Sequence, residues 1–353
     1  MVRTGASSYI RYGWETTFGA SPGDSAIDKA LGLNARLTSW DLSNSPKDLP
    51  TLGQVEVKDY AYGQQNGSMG VDFVLSNPWI FGSIYGEPAE TGTSPYVYKY
   101  GTAAGVAHTA AKSVRSFTTE VGFQAENTGT DQFITRRGLG CVANSLSIST
   151  SIDGTVDCSM GISYGKEDST SGAVYTTGFD TTPPTDEIAF PYTFAHGQLK
   201  WAGNDATDTG ASGSVVAELQ DASINFSQNP TLLYTIGSHQ SVASFRRVFD
   251  ITGSFTASWK NDDKLNQLLD QVRKPLTKPT TSLSSAPEII LNFTNSGTGA
   301  AQKSIEIKLH GVRPDSHGVS GIQPVEPVFE NIAWRTKTAE IVCANQTNRA
   351  TPY

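Results

Sequence analysis

The sequence predicts a mainly β protein (α+β) with short flanking helices, built as an antiparallel β-barrel or sandwich. Three observations predict this class. Apolar residues alternate with Ser, Thr, Asn or Asp in many short segments, as in strands with one buried and one solvated face. Charged residues are only 17% of the 353 residues, and the Ser, Thr, Gly and Asn that replace them favour strands and turns over exposed helices. The 37% of hydrophobic residues is enough for a packed core.

Residues 1–46 are predicted to form an N-terminal arm, because glycine and proline interrupt them at short intervals. The first half of this arm carries four aromatic residues: Tyr9, Tyr12, Trp14 and Phe18. Because such a segment cannot build a core of its own, we expect these side chains to dock on another surface.

Residues 47–165 are predicted to form a first β unit. Its first clear strand covers residues 69–75, where apolar and polar residues alternate. The strand leads directly into Asn77 and Pro78, which favour the start of a helix, and Gly86 favours its end. The sequence therefore predicts a strand followed by one short, apolar helix.

The segment from Glu87 to Lys112 (residues 87–112) is predicted to be a long loop within this unit. It is rich in Gly, Thr, Ala and Tyr and has no clear period. Because loops of this length inside compact domains usually have a function, we expect a functional loop or an interaction arm that contacts a neighbouring ring or subunit if the chain assembles.

The clearest local signal is a hairpin around Asp153 and Gly154, a two-residue turn sequence. The side chains predicted to be buried are Leu146, Ile148, Val156, Cys158 and Ile162. Those predicted to be solvated or to lie at contacts are Ser147, Ser149, Thr155 and Ser159. The same alternation places Ile152 on the buried face.

Residues 166–197 are predicted to be a linker or insert, residues 198–345 a second β unit, and residues 346–353 a C-terminal tail. Apolar residues alternate again in several segments of the second unit. They are Ala222, Ile224 and Phe226; Ile251, Phe255, Ala257 and Trp259; Ile289, Leu291 and Phe293; Ile305, Ile307 and Leu309; Ile332 and Trp334; and Ala339, Ile341 and Cys343. The apolar spacing after Asp262 predicts one amphipathic helix.

A weak internal repeat links the two units. Gly67 and Ser68 open a strand that leads into a capped helix and later strands, and Gly253 and Ser254 do the same. The sequences of the two stretches are not similar, so the repeat lies in the order of the elements. Two tandem units with one helix each are one interpretation, and two unrelated α+β regions are the other.

Charge and hydropathy exclude several classes of function. The net charge of −8 argues against a nucleic-acid-binding surface, which needs clustered Lys and Arg. No apolar stretch reaches the roughly 20 residues that span a bilayer, and the N-terminus does not resemble a signal peptide. We therefore expect synthesis in a cytoplasm and no membrane partner.

No catalytic, cofactor-binding or metal-binding residue is predicted, and the chain is not expected to be an enzyme. Its five histidines lack the spacing of metal ligands, and no nucleophile or phosphate-binding motif is present. Arg136 and Arg137 are interpreted as solvated hairpin residues. Cys141, Cys158 and Cys343 are interpreted as small buried apolar residues, although Cys141 and Cys158 lie in segments that adjacent strands can bring together.

Four stretches resemble the tail tube proteins of long-tailed phages and related archaeal tailed viruses, in their longer, two-unit variety. They are residues 8–19 (SYIRYGWETTFG), residues 66–79, residues 144–149 (NSLSIS) with the turn at 153–154, and residues 222–229 followed by 251–255. Each motif alone is strand alternation plus turns, and their order carries the resemblance. The long inserts at residues 87–112 and 166–213 depart from the family pattern.

The resemblance implies a structural virion protein of the viral tail. Such proteins self-assemble into rings whose sheets join into one inner barrel, and the rings stack into a tube with other tail proteins at its ends. Genomic DNA passes through the lumen to the host without specific binding. If the chain supplies two tube-like units, we expect a trimeric ring with pseudo-six-fold symmetry. A hexamer, with one barrel domain per chain and a decoration domain outside, is the alternative.

Three other functions remain open from the sequence. Another tail component (tip, hub or connector) can share the fold. A β-sandwich adhesin or carbohydrate-binding decoration protein would use a platform of aromatic residues. The residues that suggest this platform are Tyr96, Tyr98, Tyr100, Trp201 and Trp334. A glycosidase would need two paired carboxylates, and none is placed distinctively.

Overall fold

A computed structural model describes most of the chain. The described residues are 9–23, 26–50, 57–91, 96–101, 114–124, 133–168, 191–204, 214–246, 249–260, 265, 268–269, 287–295, 302–320, 328–336 and 338–346. Within them the protein is mainly β, with antiparallel pairing and short helices, which confirms the predicted class.

The strands run through both halves of the chain. Those of the N-terminal half are β1 (Tyr9–Trp14), β2 (Lys29–Ala30), β3 (Leu33–Asn44), β4 (Lys47–Pro50), β5 (Val57–Ala61), β6 (Gln65–Val74), β7 (Ala89–Thr91), β8 (Tyr96–Gly101), β9 (Phe117–Gln124), β10 (Phe133–Ser151), β11 (Asp157–Tyr164) and β12 (Lys166–Glu167). Those of the C-terminal half are β13 (Tyr192–Asn204), β14 (Ser214–Ser227), β15 (Thr231–Leu233), β16 (Ala243–Phe245), β17 (Asp250–Trp259), β18 (Pro287–Asn295), β19 (Ser304–His310), β20 (Arg313–Ser320), β21 (Phe329–Thr336) and β22 (Thr338–Gln346).

The short helix predicted after β6 is confirmed. A 3-10 turn at Trp79–Phe81 continues into helix α1 (Gly82–Tyr85). The side chain of Asn77 accepts a hydrogen bond from the Trp79 amide at 3.2 Å, and Gly86 ends the helix with a φ of 85°, which favours glycine. In the second predicted helix, Leu265, Leu268 and Leu269 are helical, and Asp262 lies outside the described residues.

The main sheet contains eight antiparallel strands in the order β3-β6-β11-β10-β14-β17-β21-β20. A second sheet has the order β13-β18-β19-β22-β8-β7. The first residues of β14 pair with β13, so this strand passes from one sheet into the other. The first part of β10 pairs with β9, which pairs with β1.

The inner faces of both sheets contribute to one hydrophobic cluster, which is the arrangement of a β-sandwich. Among the ladders that the structure describes, none joins β20 back to β3. Of the two predicted architectures, the single chain therefore has the sandwich and not a closed barrel.

The main sheet divides into two sets of four strands. The first quartet is β3, β6, β11 and β10, and the second quartet is β14, β17, β21 and β20. If each set is numbered along the chain, its order across the sheet is 1-2-4-3 in both cases. Helical residues follow the second strand in both sets. The β10–β14 ladder joins the two quartets.

The hairpin of β10 and β11 confirms the predicted faces. All five side chains predicted to be buried are at most 2% exposed. The connection from Ser151 to Asp157 is longer than a two-residue turn. Ile152 lies in it and is 48% exposed, so its predicted burial is wrong.

Two segments that lacked a sequence pattern contain strands. The predicted loop 87–112 contains β7 and β8, and β8 pairs with β22, so the expectation of a loop is wrong there. Residues 92–95 and 102–113 lie outside the described residues. The predicted linker contains β12 and the start of β13. The described part of the predicted arm contains β1 to β3, with Tyr12 and Trp14 buried.

Candidate assembly surface

One face of the main sheet is polar across most of its width. The cross-strand register aligns one row of side chains on five neighbouring strands: Asp72, Ser159, Ser147, Asn225 and Thr252. In the next row the hydroxyl oxygens of Ser223 and Ser254 lie 2.8 Å apart. A shallow cavity of about 400 Å³ opens on this face over β3, β6, β10 and β11. This surface is called the polar face below.

The opposite face of the same strands forms the core. Ile148 lies opposite Cys158 on one side and Ile224 on the other, and all three are at most 2% exposed. A period of two therefore separates a dry face from a wet one on β10 and its neighbours β11 and β14, because successive side chains of a strand point to opposite faces.

The charges of the polar face are few and mostly negative. The segments 65–74, 142–151, 157–164, 214–227 and 250–259 contain no lysine or arginine. They carry aspartates on the polar face, and the arginines are found on strands at the two sides of the sheet. On β3, Arg36 lies 3.5 Å from Asp72, and on β21, Arg335 lies 2.9 Å from Asp315.

The main sheet ends in two exposed edge strands. Within the described part of the chain, β3 pairs only with β6, and β20 pairs only with β21. Apolar side chains lie exposed on both: Leu42 is 39% exposed and Val319 is 44% exposed. An edge strand offers backbone amides and carbonyls to another chain, so both edges are candidate assembly surfaces.

Two hairpins add exposed apolar groups near the start of β6. The β4–β5 hairpin exposes Leu49 and Tyr60, and the β15–β16 hairpin exposes Phe245. The β15–β16 hairpin contacts the start of β6, where the Gln65 amide donates a hydrogen bond to the His239 carbonyl at 2.8 Å, and the Tyr62 ring after β5 contacts the same histidine. Exposed apolar groups gathered in this way are typical of protein contact surfaces.

A buried ion cluster fastens β1 to β9 and β10. Glu120 is fully buried and accepts hydrogen bonds from Tyr9 at 2.7 Å and from Arg11 at 2.8 Å. Arg137 also pairs with this carboxylate and is 8% exposed. Burial and then the charge of Glu120 raise the pKa of Tyr9 above its ordinary value. The interpretation of Arg137 as solvated is therefore wrong, whereas Arg136 is part-exposed and pairs with Glu167.

A second buried carboxylate, Glu15, has only neutral hydrogen-bond donors among its described contacts. One of its oxygens accepts from Gly19 N at 2.7 Å and Ser116 Oγ at 2.5 Å. The other accepts from Thr118 Oγ1 at 2.8 Å and Gly140 N at 2.9 Å. Glu15 thus joins the chain after β1 to the β9 and β10 strands. The sequence signal for both clusters was a charged residue inside an aromatic segment.

The three cysteines are free and buried, which confirms their interpretation as small apolar residues. Burial raises the pKa of the Cys141 thiol to about 12. His310 is buried with its Nδ1 2.9 Å from Glu288, and His317 contacts Glu330. The described residues contain no group of three or more His, Cys, Asp or Glu able to hold a metal ion.

The predicted sugar platform is wrong. Tyr98, Tyr100 and Trp334 are at most 1% exposed and belong to the core. Only Tyr96 of the described candidates is partly exposed, and the side chain of Trp201 lies outside the described part. Within the same part, no helix is long and apolar enough to cross a bilayer.

One polar sheet face, two exposed edge strands and exposed apolar hairpins are typical of proteins that act by assembling. The family model described as phage tail tube protein matches residues 5–336, and the chain belongs to this family. No curated protein gave a match. The protein is thus a structural component of the virion tail that assembles into its tube.

Proposed function

We propose that three chains form a ring with pseudo-six-fold symmetry, and that these rings stack into a tail tube whose lumen conducts DNA to the host. The repeated quartet carries this proposal. Two sets of four strands with the same 1-2-4-3 order lie side by side in one sheet. The first strands of the two sets, β3 and β14, run in the same direction, because four antiparallel ladders separate them. A rotation about the ring axis can therefore relate the two quartets as well as the chains.

The parity of the sheet supports closure into a ring. The main sheet has an even number of strands and only antiparallel ladders, so its edge strands β3 and β20 run in opposite directions. Head-to-tail contact of β20 with β3 of the next chain then continues the antiparallel pattern. Heterologous contacts of this kind close into rings when the rotation fits.

The circumference favours three chains over six. A trimer supplies twenty-four strands and a hexamer forty-eight. With strands about 4.8 Å apart and tilted by about 40°, the two barrels are about 50 Å and about 100 Å across between backbones. The smaller barrel already admits a duplex after side chains line it. In the hexamer with one decoration domain per chain, only one quartet would reach the lumen.

The polar face is the proposed lumen wall. Its hydroxyl, amide and carboxylate groups include no cation on the central strands that would hold a phosphate. Protein–DNA affinity depends mostly on Lys and Arg contacts to phosphates, so DNA is expected to slide past without specific binding. Other tail proteins would contact the rings at the two ends of the tube.

The test is electron microscopy and native mass spectrometry of the purified full-length protein. We expect hollow tubes or rings, and a ring mass of three chains. A ring of six chains would overturn the symmetry and leave the tube role intact. If the protein forms no ring or tube and only a few copies occupy each virion, a tip, hub or connector role would replace the proposal.

A further inference from the structure

We infer that β20 of one copy pairs with β3 of a second copy in the register that β10 and β14 adopt within the chain. This inference rests on the proposed ring and specifies its contact. It follows from matching the quartets residue by residue, since the β10–β14 ladder is then the internal counterpart of the contact between chains.

The second strands of the quartets match through a glycine beneath an aromatic ring. On β6, Gly67 lies opposite Tyr164 of β11, and on β17, Gly253 lies opposite Trp334 of β21. In both cases a Cβ added to the glycine would clash with that ring. The same close approach at the same place in the 1-2-4-3 order makes Gly67 and Gly253 equivalent.

The first strands match through a β-bulge. The ladder of β3 with β6 shifts between Leu37 and Ser39, and the ladder of β14 with β17 shifts between Leu219 and Asp221. Counted from the equivalent glycines, the two shifts fall at the same position. This alignment makes Leu42, which lies opposite Gly67, equivalent to Ile224, which lies opposite Gly253.

The third strands along the chain, β10 and β20, are matched through the strands with which they pair, β11 and β21. Because Tyr164 and Trp334 are equivalent, Gly161 of β11 corresponds to Asn331 of β21, each three residues before its aromatic residue. Gly161 lies opposite Ser145 of β10, and Asn331 lies opposite Gly318 of β20. The residues that follow, Leu146 on β10 and Val319 on β20, are therefore equivalent.

Equivalent positions differ in exposure: those at the β10–β14 ladder are buried, and those at the free edges are exposed. Ile224 and Leu146, at the joint between the quartets, are 2% and 0% exposed. Leu42 and Val319, at the free edges, are 39% and 44% exposed. At the β10–β14 ladder the neighbouring quartet covers Ile224 and Leu146. A second copy would cover Leu42 and Val319 in the same way.

The internal register then specifies the contact between chains. Inside the chain, Ser147 lies opposite Asn225 and Ser145 lies opposite Ser227. The equivalent contacts place Ser320 opposite Ser43 of the second copy, and Gly318 opposite Ser45. Ser43 and Ser320 are both exposed and on the polar face.

Disulfide cross-linking of the full-length protein tests this register. Directly opposite residues of antiparallel strands have Cα atoms about 5 Å apart, within the range that a disulfide spans. Oxidised rings of the double variant Ser43→Cys/Ser320→Cys should give covalent oligomers that end at three chains on a non-reducing gel. The buried native cysteines should leave the wild type uncross-linked.

Two matched variants control the geometry. Asp41→Cys/Ser320→Cys shifts one partner by two residues on the same face, to about 7–8 Å, and should cross-link at most a tenth as much. Ser147→Cys/Asn225→Cys should form a disulfide within one chain. If the reduced double variant does not assemble, Ser45→Cys/Gly318→Cys tests the adjacent predicted pair.

The outcomes distinguish the register from the ring. Rings that form but do not cross-link at either predicted pair, or that cross-link equally at the shifted pair, overturn the register and leave the proposed function standing. A wild-type protein that forms neither rings nor tubes overturns both.

Discussion

The two quartets of the main sheet follow the same path with different residues. A tyrosine covers the glycine of the first quartet, Gly67, and a tryptophan covers that of the second, Gly253. The polar face alternates Ser, Asp and Asn in the first and Thr, Ser and Asn in the second. The match between the quartets thus lies in the two glycine–ring contacts and in the bulges of the first strands, β3 and β14, where geometry restricts the choice of residue.

The elements outside the main sheet are held in two ways. β1 and β9 continue from the first part of β10 and are held by the buried carboxylates Glu15 and Glu120. The second sheet packs on the shared core through apolar side chains. In the proposed ring, the edges of the main sheet would have to match those of the next chain, a restriction that does not apply to the elements outside this sheet.

The largest expected effect on stability is at the β10–β14 ladder, which joins the two quartets. Ile148→Asp places an unpaired charge between Cys158 and Ile224, and burying such a charge costs more than a typical domain's stability margin allows. We expect loss of the folded state, measured as the absence of a cooperative thermal transition by circular dichroism. Ser147→Asp, on the polar face of the same strand and opposite the uncharged Ser159 and Asn225, should melt close to the wild type. A cooperative wild-type-like transition in Ile148→Asp would contradict the assigned faces.

A smaller loss of stability is expected where hydrogen bonds to Glu15 hold the chain after β1 against β9 and β10. Glu15→Gln replaces one accepting oxygen by an NH₂ group that faces two donors. Buried donors without an acceptor cost about 1–3 kcal/mol each, so we expect the free energy of unfolding to fall by about 3 kcal/mol in urea titrations. The exposed Glu90→Gln is the control. Equal stability of both variants would show that these hydrogen bonds do not hold β1 in place.

The sequence predicted those strands whose two faces have different surroundings. The alternation around Ile148 marks a wet and a dry face, and the structure has both. β20 was missed because an edge strand lacks a regular apolar period, as the burial of Arg313–Ser320 shows. β8 carried a signal, since Tyr98 and Tyr100 alternate, but its Gly- and Thr-rich surroundings concealed it. The buried contacts of Glu120 depend on strand order, which local patterns do not encode.

Substitution of the equivalent glycines Gly67 and Gly253 is expected to have an intermediate effect on stability and allows the two quartets to be compared directly. Neither has a positive φ, so Gly67→Ala and Gly253→Ala act through space alone. In Gly67→Ala the three atoms nearest to the added Cβ all belong to the Tyr164 ring, whereas in Gly253→Ala they belong to the Trp334 ring and the backbone carbonyl of Ser223. We expect losses of about 1 and about 3 kcal/mol in the free energy of unfolding.

Two further variants check that close packing is the cause. Gly318→Ala has open space around the added Cβ and should be near neutral in the same urea titration. Tyr164→Leu should relieve part of the cost of Gly67→Ala, so the double variant should lose less than the sum of the two single variants. Additive losses would mean that the ring above Gly67 is not what excludes a side chain.

The smallest effect on stability is expected at the free edge strand β3. A substitution there should impair assembly without unfolding the chain. Leu42 and Ile224 occupy equivalent positions, but only Leu42 is exposed in the single chain. Ile224→Ser removes a buried side chain and should lower the free energy of unfolding by about 2–4 kcal/mol. Leu42→Ser should change it by about 0.5 kcal/mol or less, because water already reaches this side chain.

In a ring, however, the edge of the next chain would cover Leu42, and Leu42→Ser should raise the protein concentration needed for assembly, measured by light scattering. Thr38→Ser, an exposed substitution on the same strand, is the control for handling effects. If Leu42→Ser assembles at the wild-type concentration, the β3 edge lies outside the contact between chains, and the equivalence of the free edges with the joint fails.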